Sequence, residues 1–452
     1  MQMLSLFACI LERKDKKMKK PWLALMTVLC ITLCPLTDTV WADELFLPGT
    51  AAEQLQAPVP AASINWLDNS YAYSQWAKPI NSYLYANSNG CLTRVEQIGQ
   101  QVVIEDYGNG FILQSQKKLE MELPLWGGFY SGTDYHFLVF GQNNLEEDDQ
   151  KEVIRVVKYT KDWERVGAAS LYAANTTKPF NSGTLRMVQD GDKLYIHTCH
   201  EMYTKKEDGV NHQANLTFSV KISNMTIADQ NSGVLYGTNY VSHSFNQFIL
   251  MDNSTLLTLD HGDAYPRAMV IHKFKKKNFT KRNTEYCDEV NIMSIKGEKG
   301  DNKTGAMIGG FAASSSAYLT VGCSIPQDSS AHNIYNIFVA CTPKKRMSHG
   351  ETKINWITNY TDASSPGLDN PHLVDLGNDR FLLLYMSGNS INYLYLDKDG
   401  NPEGSIYAME GYLSDCVPIF YQGLVVWYYT KNSVPVFCAI DGNGNPYLFQ
   451  AQ

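Results

Sequence analysis

Residues 241–267 read VSHSFNQFILMDNSTLLTLDHGDAYPR, and this stretch decides the fold. An apolar run, Phe248-Ile249-Leu250, meets a polar turn, Met251-Asp252-Asn253-Ser254, and then a second apolar run of Leu256, Leu257 and Leu259. Asn and Asp favour such turns because their short side chains bond the local backbone and tolerate left-handed φ. The stretch is therefore expected to form a β-hairpin. A hairpin brings its outer ends together, so His243, Asn246 and Gln247 should meet Asp260, His261, Asp263, Tyr265 and Arg267.

The pattern recurs along the chain. Equivalent turns fall near Asp134, Asp192, Asn253, Ser316, Asp379 and Gly423, at intervals of roughly 58, 61, 63, 63 and 44 residues. A third apolar run follows each hairpin, at 153–159, 216–222, 268–274, 334–341, 391–396 and 434–440. A turn such as DKDGNP (397–402) or DGNGNP (441–446) then precedes a last short strand. Four antiparallel strands repeated every 40–60 residues are the signature of a β-propeller. Six such units run from Trp126 to Gln450, and 83–121 supplies another, with strands at 83–86, 92–97, 102–106 and 111–119. The expectation is an all-β single propeller over 76–452, with seven four-stranded blades and six as the alternative.

Composition agrees with many short strands and tight turns: 452 residues, 44% hydrophobic, 19% charged, with 27 Tyr and 32 Gly. The N-terminus reads as an export signal over 18–42. Lys19 and Lys20 precede an apolar run at 22–33, and Val40-Trp41-Ala42 is a small-residue cleavage site. Residues 1–17 read as an over-extended start, and 43–75, rich in Ala, Pro and Gln, as a linker. The apolar run is short for a membrane span of about 20 residues. Beyond residue 42 the chain carries 32 Lys/Arg against 43 Asp/Glu, a balance of −11 that argues against nucleic acid or an anionic membrane as partner. Secretion or display at a bacterial cell surface, as a monomer, is the expectation. Seven cysteines remain beyond residue 42, scattered and without a CxxC pair, so one or two bridges at most are expected.

Propeller topology sorts the loops onto two faces. The A–B and C–D turns share one face; the B–C loops and D–A crossovers share the other. The B–C segments FGQNNLEEDDQ, HTCHEMYTKKEDGVNHQ, DHGDAYP and CSIPQDSSAHN look long and polar. Six of ten histidines fall on that face: His200, His212, His243, His261, His332 and His372. The candidate ligand-binding residues are His200, His212, His243, Asn246, His261, Asp263, Tyr265 and Arg267. Imidazole, amide and guanidinium groups give directional bonds to a polar, sugar-like ligand, and Tyr203, Tyr265 and Trp126 offer apolar surface. Alternatively these groups only bond neighbouring backbone and orient loops. A third reading is catalytic: a His or Tyr abstracts a proton beside a carboxylate that Arg267 neutralises, a β-elimination of acidic polysaccharide. A divalent ion between His243, His261 and Asp260 or Asp263 lacks a compact ligand motif, and no metal or other cofactor is expected. No GxSxG, HExxH or P-loop occurs.

The runs HTCHEMY and NHQANLTF within 197–218, SHSFNQF at 242–248 and DHGDAYPRA at 260–268 resemble an uncharacterised group of exported bacterial β-propeller proteins. That resemblance implies location and fold but no chemistry. A weaker, geometric likeness is to propeller polysaccharide lyases, which place a His at each end of one A–B hairpin with Tyr and Arg nearby. It implies catalytic roles for His243, His261, Tyr265 and Arg267. The reading is thus an exported propeller that binds an extracellular or cell-surface glycan on its B–C face. The alternatives are a polysaccharide lyase on that face, or a protein-interaction module of the cell envelope.

Overall fold

The computed structural model describes residues 57–63, 77–231, 239–275, 287–328, 332–348 and 350–451. The expected export signal and most of the expected linker lie outside the described residues. Among the described residues no helix is long and apolar enough to cross a membrane.

The first sheet holds β1 to β4 (Ser82–Ala86, Leu92–Ile98, Gln101–Tyr107, Leu113–Glu120), and the second β5 to β8 (Leu125–Ser131, His136–Gly141, Glu152–Tyr159, Arg165–Tyr172). The third holds β9 to β17: Thr176–Pro179, Arg186–Asp190, Lys193–Thr204, Asn211–Lys221, Thr226–Asn231, Ser242–Asp252, Thr255–Tyr265, Arg267–Lys275 and Cys287–Ser294. The fourth is β18 to β21 (Ala306–Ala313, Ala317–Ser324, Asn336–Pro343, Lys353–Trp356), and the fifth β22 to β25 (Leu368–Asp375, Phe381–Ser387, Ser390–Leu396, Pro402–Glu410). The sixth is β26 to β29 (Ile419–Tyr421, Leu424–Lys431, Val434–Asp441, Pro446–Gln450). All pairings are antiparallel, and the molecule is a β-propeller of four-stranded blades.

Among the described residues five separate four-stranded blades form, rather than the seven expected or the six held as the alternative. The two stretches expected as the third and fourth blades are joined in one nine-stranded sheet, ordered β10-β11-β12-β14-β15-β16-β17. The reason is strand length. β11 runs 12 residues, and β12, β14 and β15 run 11 each. That carries the ladders past the blade until Ala214 on β12 pairs with Ser242 on β14. The short β9 caps the same extension, pairing Pro179 with His200.

The strands nearest the axis touch in sequence, β5 to β10, β10 to β14, β14 to β18, β18 to β22, β22 to β26 and β26 back to β1. Apolar side chains fill the wedges between sheets. Trp126, Phe129, Phe140 and Trp163 pack against Val95 and Ile104 between the first two sheets, and Trp427, Tyr428 and Phe437 reach Leu92, Tyr107 and Phe111 between the last and the first. Glycine is required where two inner strands meet: a Cβ on Gly309 of β18 would lie 1.6 Å from the Pro371 carbonyl oxygen of β22.

Among the described residues no strand is exchanged to close the ring. Instead residues 57–63 run between the last sheet and the first. The Ala61 amide donates to the Ser433 carbonyl, and the Ser63 hydroxyl meets that of Thr430. On the other side Val59 N donates to Glu105, and Ala62 N and Ser63 N donate to Glu96. Arg94 joins the two carboxylates, its Nη2 2.6 Å from Glu96 Oε2 and its Nη1 2.6 Å from Glu105 Oε2, all three side chains fully buried. Tyr428 of β27 donates to the same Glu96 oxygen, tying the staple to the last sheet. Cys91, Cys199, Cys323, Cys341, Cys416 and Cys438 are free thiols, so none of the one or two expected bridges involves them.

Candidate functional site

The hairpin of 241–267 forms as β14 and β15, with Asp252 opposite Thr255 at its turn and Ser242 opposite Tyr265 at its open end. The outer segment DHGDAYP is not a loop. It continues β15 to Tyr265, and Arg267 opens β16 directly after a cis Tyr265-Pro266 bond. His261 and Asp263 therefore lie on a ladder and are fully buried. Burial pushes the His261 imidazole down to about 3, and the Arg267 charge adds to the effect. Its ring stands edge-on to Phe245, centroids 5.7 Å apart.

Arg267 is engaged as a loop clamp. Its Nε and Nη2 donate to the Lys296 carbonyl, Nη2 also to the Lys303 carbonyl, and Nη1 to the Asp263 carbonyl, with Asp301 2.9 Å away. Asp263 accepts the Asn302 amide at 2.6 Å, and its other oxygen lies 2.8 Å from His243 Nδ1. His243, with positive φ of 50°, keeps 26% of its side chain exposed. Tyr265 is 44% exposed, its ring beneath Lys299 Nζ at 4.4 Å. Asn246 points the other way, its Nδ2 donating to the Ile308 carbonyl and its Oδ1 accepting from Arg186 Nη1.

His200 and His212 do not join this group. His200 is buried beside β9, with Nδ1 2.6 Å from the Thr176 hydroxyl, and burial lowers it to about 3. His212, at the start of β12, sits 2.9 Å from Asp208. The histidine that does reach across the sheet is His197, which the expected cluster omitted. Its Nε2 lies 3.1 Å from Asp260 Oδ2 and its Nδ1 2.7 Å from the Thr217 hydroxyl. Burial works to raise the Asp260 carboxyl, but His197, His272 and the Ser244 hydroxyl outweigh it and hold the group below its usual range. Strand alternation carried the signal: Asp260 and His261 occupy opposite faces of β15, so only one of them can share a wall with His243 and Asp263. Among the described residues no three His, Cys, Asp or Glu side chains gather as a metal site.

A cavity of about 700 Å³ opens on the opposite face, between the first and second sheets. Its walls are the β1–β2, β5–β6 and β7–β8 turns, with Asp106 on β3 and Ser115 and Lys117 on β4. One wall is aromatic. His136 stacks on Trp163, centroids 4.4 Å apart and planes 22° off parallel, and Tyr85 lies 4.8 Å from the same imidazole. The other wall is polar and held in place. Asp106 accepts from Thr93, Asn87 and Ser115. Lys161 donates to the Ser131 hydroxyl and Gly132 carbonyl, and Lys117 to the carbonyls of Asp162 and Trp163. His136 is fully buried; its Nε2 meets the Tyr85 hydroxyl at 3.2 Å, while Nδ1 has no hydrogen-bond partner among the described residues. Burial, helped by the Lys161 charge, lowers this imidazole to about 3, so it is neutral at physiological pH.

No protein-family model and no curated protein matches the chain. Among solved structures it is similar to prolyl oligopeptidase B from Galerina marginata, at 7% identity and a TM-score of 0.47, over 83% of this chain and 51% of the other. The present chain thus spans about half the length of that enzyme. It is also similar to a protein of unknown function from Desulfotomaculum acetoxidans (8% identity, TM-score 0.43, covering 78% of this chain and 92% of the other). A third is an N10 neuraminidase-like protein of A/little yellow-shouldered bat/Guatemala (9% identity, TM-score 0.39, covering 74% and 96%).

Proposed function

We propose that the protein is an exported propeller that binds a polar, glycan-like ligand and releases it unchanged, and that the ligand sits in the cavity between the first two sheets. One observation carries this reading. The cavity sets an aromatic wall, His136 on Trp163 with Tyr85, against fixed polar groups at Asp106, Asn87 and Lys161. A sugar ring presents an apolar face and a rim of hydroxyls, and this is the pairing of surfaces it requires. A lyase on the B–C face is less well supported. His261 is fully buried, and Arg267 is bonded to three backbone carbonyls rather than available to a substrate carboxylate. Of the four residues that a lyase would use, His243 and Tyr265 remain accessible.

The test is a glycan array followed by titration of any hit. Trp163→Ala, Lys161→Ala and Asp106→Asn should each weaken binding at least tenfold, about 1.4 kcal/mol. His243→Ala should leave it unchanged. Binding that survives all three cavity substitutions and disappears in His243→Ala or Tyr265→Ala would return the ligand to the B–C face. Appearance of an unsaturated, ultraviolet-absorbing product would show catalysis instead of binding.

A further inference from the structure

A second cavity, of about 230 Å³, opens between the fifth and sixth sheets, on the same face as the first. Equivalent turns wall it, β22–β23 from one sheet with β26–β27 and β28–β29 from the next. Its lining is of another kind. Leu376, Leu382, Val425 and Ile440 supply an apolar wall, and the Phe420 ring beside them is 44% exposed. Water against such a wall gains few hydrogen bonds, so an apolar ring displaces it favourably.

Two charged side chains line this cavity, Asp441 and Arg380. Asp441 turns its carboxylate back on its own loop. Its Oδ1 accepts the Asn443 and Asn445 amides, and its Oδ2 accepts the Asn445 side-chain amide and the Tyr447 hydroxyl. Arg380 is held but not filled. Its guanidinium carbon lies 4.0 Å from the Tyr395 ring centroid, and the Tyr395 hydroxyl is fixed in turn by donating to the Asp441 carbonyl at 3.3 Å. Nε donates to Glu403 at 3.3 Å, in a pair whose side chains are both nearly half exposed, and such pairs are weak. Nη1 and Nη2 make no hydrogen bond among the described residues. The turn that carries Arg380 is anchored to the fourth sheet, where the Asp379 carboxylate accepts the Ser315 amide at 2.6 Å and the Ser315 hydroxyl.

We propose that this cavity binds a small aryl carboxylate, its ring against Phe420 and the apolar wall and its carboxylate on the terminal nitrogens of Arg380. Guanidinium N–H donors match a carboxylate in charge and geometry. A cationic ligand finds no such partner, because the Asp441 oxygens already have their donors. One guanidinium suits a monoanion; a phosphate monoester, at about −1.5 to −2, would bring surplus negative charge beside Asp441 and Glu403. The site is separate from the cavity between the first two sheets, and neither depends on the other.

Benzoate is the probe, with acetate as the acid-only control, benzyl alcohol as the ring-only control and phenyl phosphate as a third arm, all at one ionic strength. Saturation-transfer NMR on the full chain detects contact of the ring protons, and titration gives Kd. Benzoate should bind more tightly than either control. Arg380→Gln should raise its Kd about tenfold through loss of a charge-assisted bond, and Arg380→Lys, which keeps the charge but loses the fork, should raise it less. Phe420→Ala should raise it about fivefold. Both side chains are well exposed, so the variants should fold, which a melting curve checks. Arg165→Gln, at an exposed arginine of the second sheet, should leave the Kd unchanged. A benzoate Kd unmoved by Arg380→Gln or by Phe420→Ala would overturn the proposal, as would benzyl alcohol binding as tightly as benzoate. Tighter binding of phenyl phosphate than of benzoate would overturn the carboxylate assignment.

Discussion

Replacing Arg94 by Met tests the device that closes the ring. The guanidinium bonds Glu96 through Nε at 2.9 Å and Nη2 at 2.6 Å, Glu105 through Nη1 at 2.6 Å, and the Val59 carbonyl at 3.0 Å. Met matches the volume of the side-chain stem but leaves two fully buried carboxylates without their cation. Breaking a buried pair in this way costs about 3–5 kcal/mol. Each carboxylate keeps other donors, Tyr428 with the Ala62 and Ser63 amides at Glu96, and Tyr107, Gln116 and the Val59 amide at Glu105. We therefore expect a loss of about 4 kcal/mol, in the middle of that range. Urea unfolding followed by tryptophan fluorescence measures it, and limited proteolysis should show earlier cleavage near residues 57–63. Removing the charges together, in Arg94→Met with Glu96→Gln and Glu105→Gln, should recover at least half of the loss. A loss below about 1 kcal/mol in the single variant, the size of an exposed ion pair, would show that the staple does not hold the first and last sheets together.

Other expectations follow from burial of titratable groups. His136, His200 and His261 are each held near 3 when folded, against about 6.5 unfolded. The unfolded chain binds the protons, so stability is full above about pH 6.5 and falls below it by up to about 1.4 kcal/mol per pH unit for each histidine; urea midpoints at pH 7.5, 6.5 and 5.5 should decline, and a flat profile contradicts the burial. Asp415 runs the other way: burial raises it to about 7, above its ordinary 3.8, although Ser82 and the Asn81 amide bond it. Its contribution is present at acid pH and lost as pH rises through about 7, so Asp415→Asn should gain on the wild type by up to about 4 kcal/mol between pH 4 and pH 8. Gly309→Ala forces a methyl into the Pro371 carbonyl and should cost about 3 kcal/mol or prevent folding, read as lost soluble yield or a lowered Tm.

The strands were legible in the chain before any coordinates. Residues 92–97 and 102–106 were expected and Leu92–Ile98 and Gln101–Tyr107 form, because alternation and Asx-type turns act within a few residues. The DKDGNP and DGNGNP turns behave alike, Asp397 and Asp441 each accepting the backbone amides two and four residues on. The polar segments after β11 and β15 misled the reading. HTCHEMYT and DHGDAY look like loops by composition, yet β9 and β14 supply backbone partners that let those residues continue as strand.

The amino-acid sequence by itself determined that the chain folds as antiparallel strands in repeated units, since period-two burial and turn chemistry are local properties. Tertiary structure decided how many blades stay separate, which histidines are sealed and which polar groups share a wall. His197 with Asp260, Arg186 with Asn246 and Tyr85 with His136 lie 63, 60 and 51 residues apart in the chain. A polar residue at a strand end reads the same whether water or a neighbouring sheet receives it, and only the closed ring settles which.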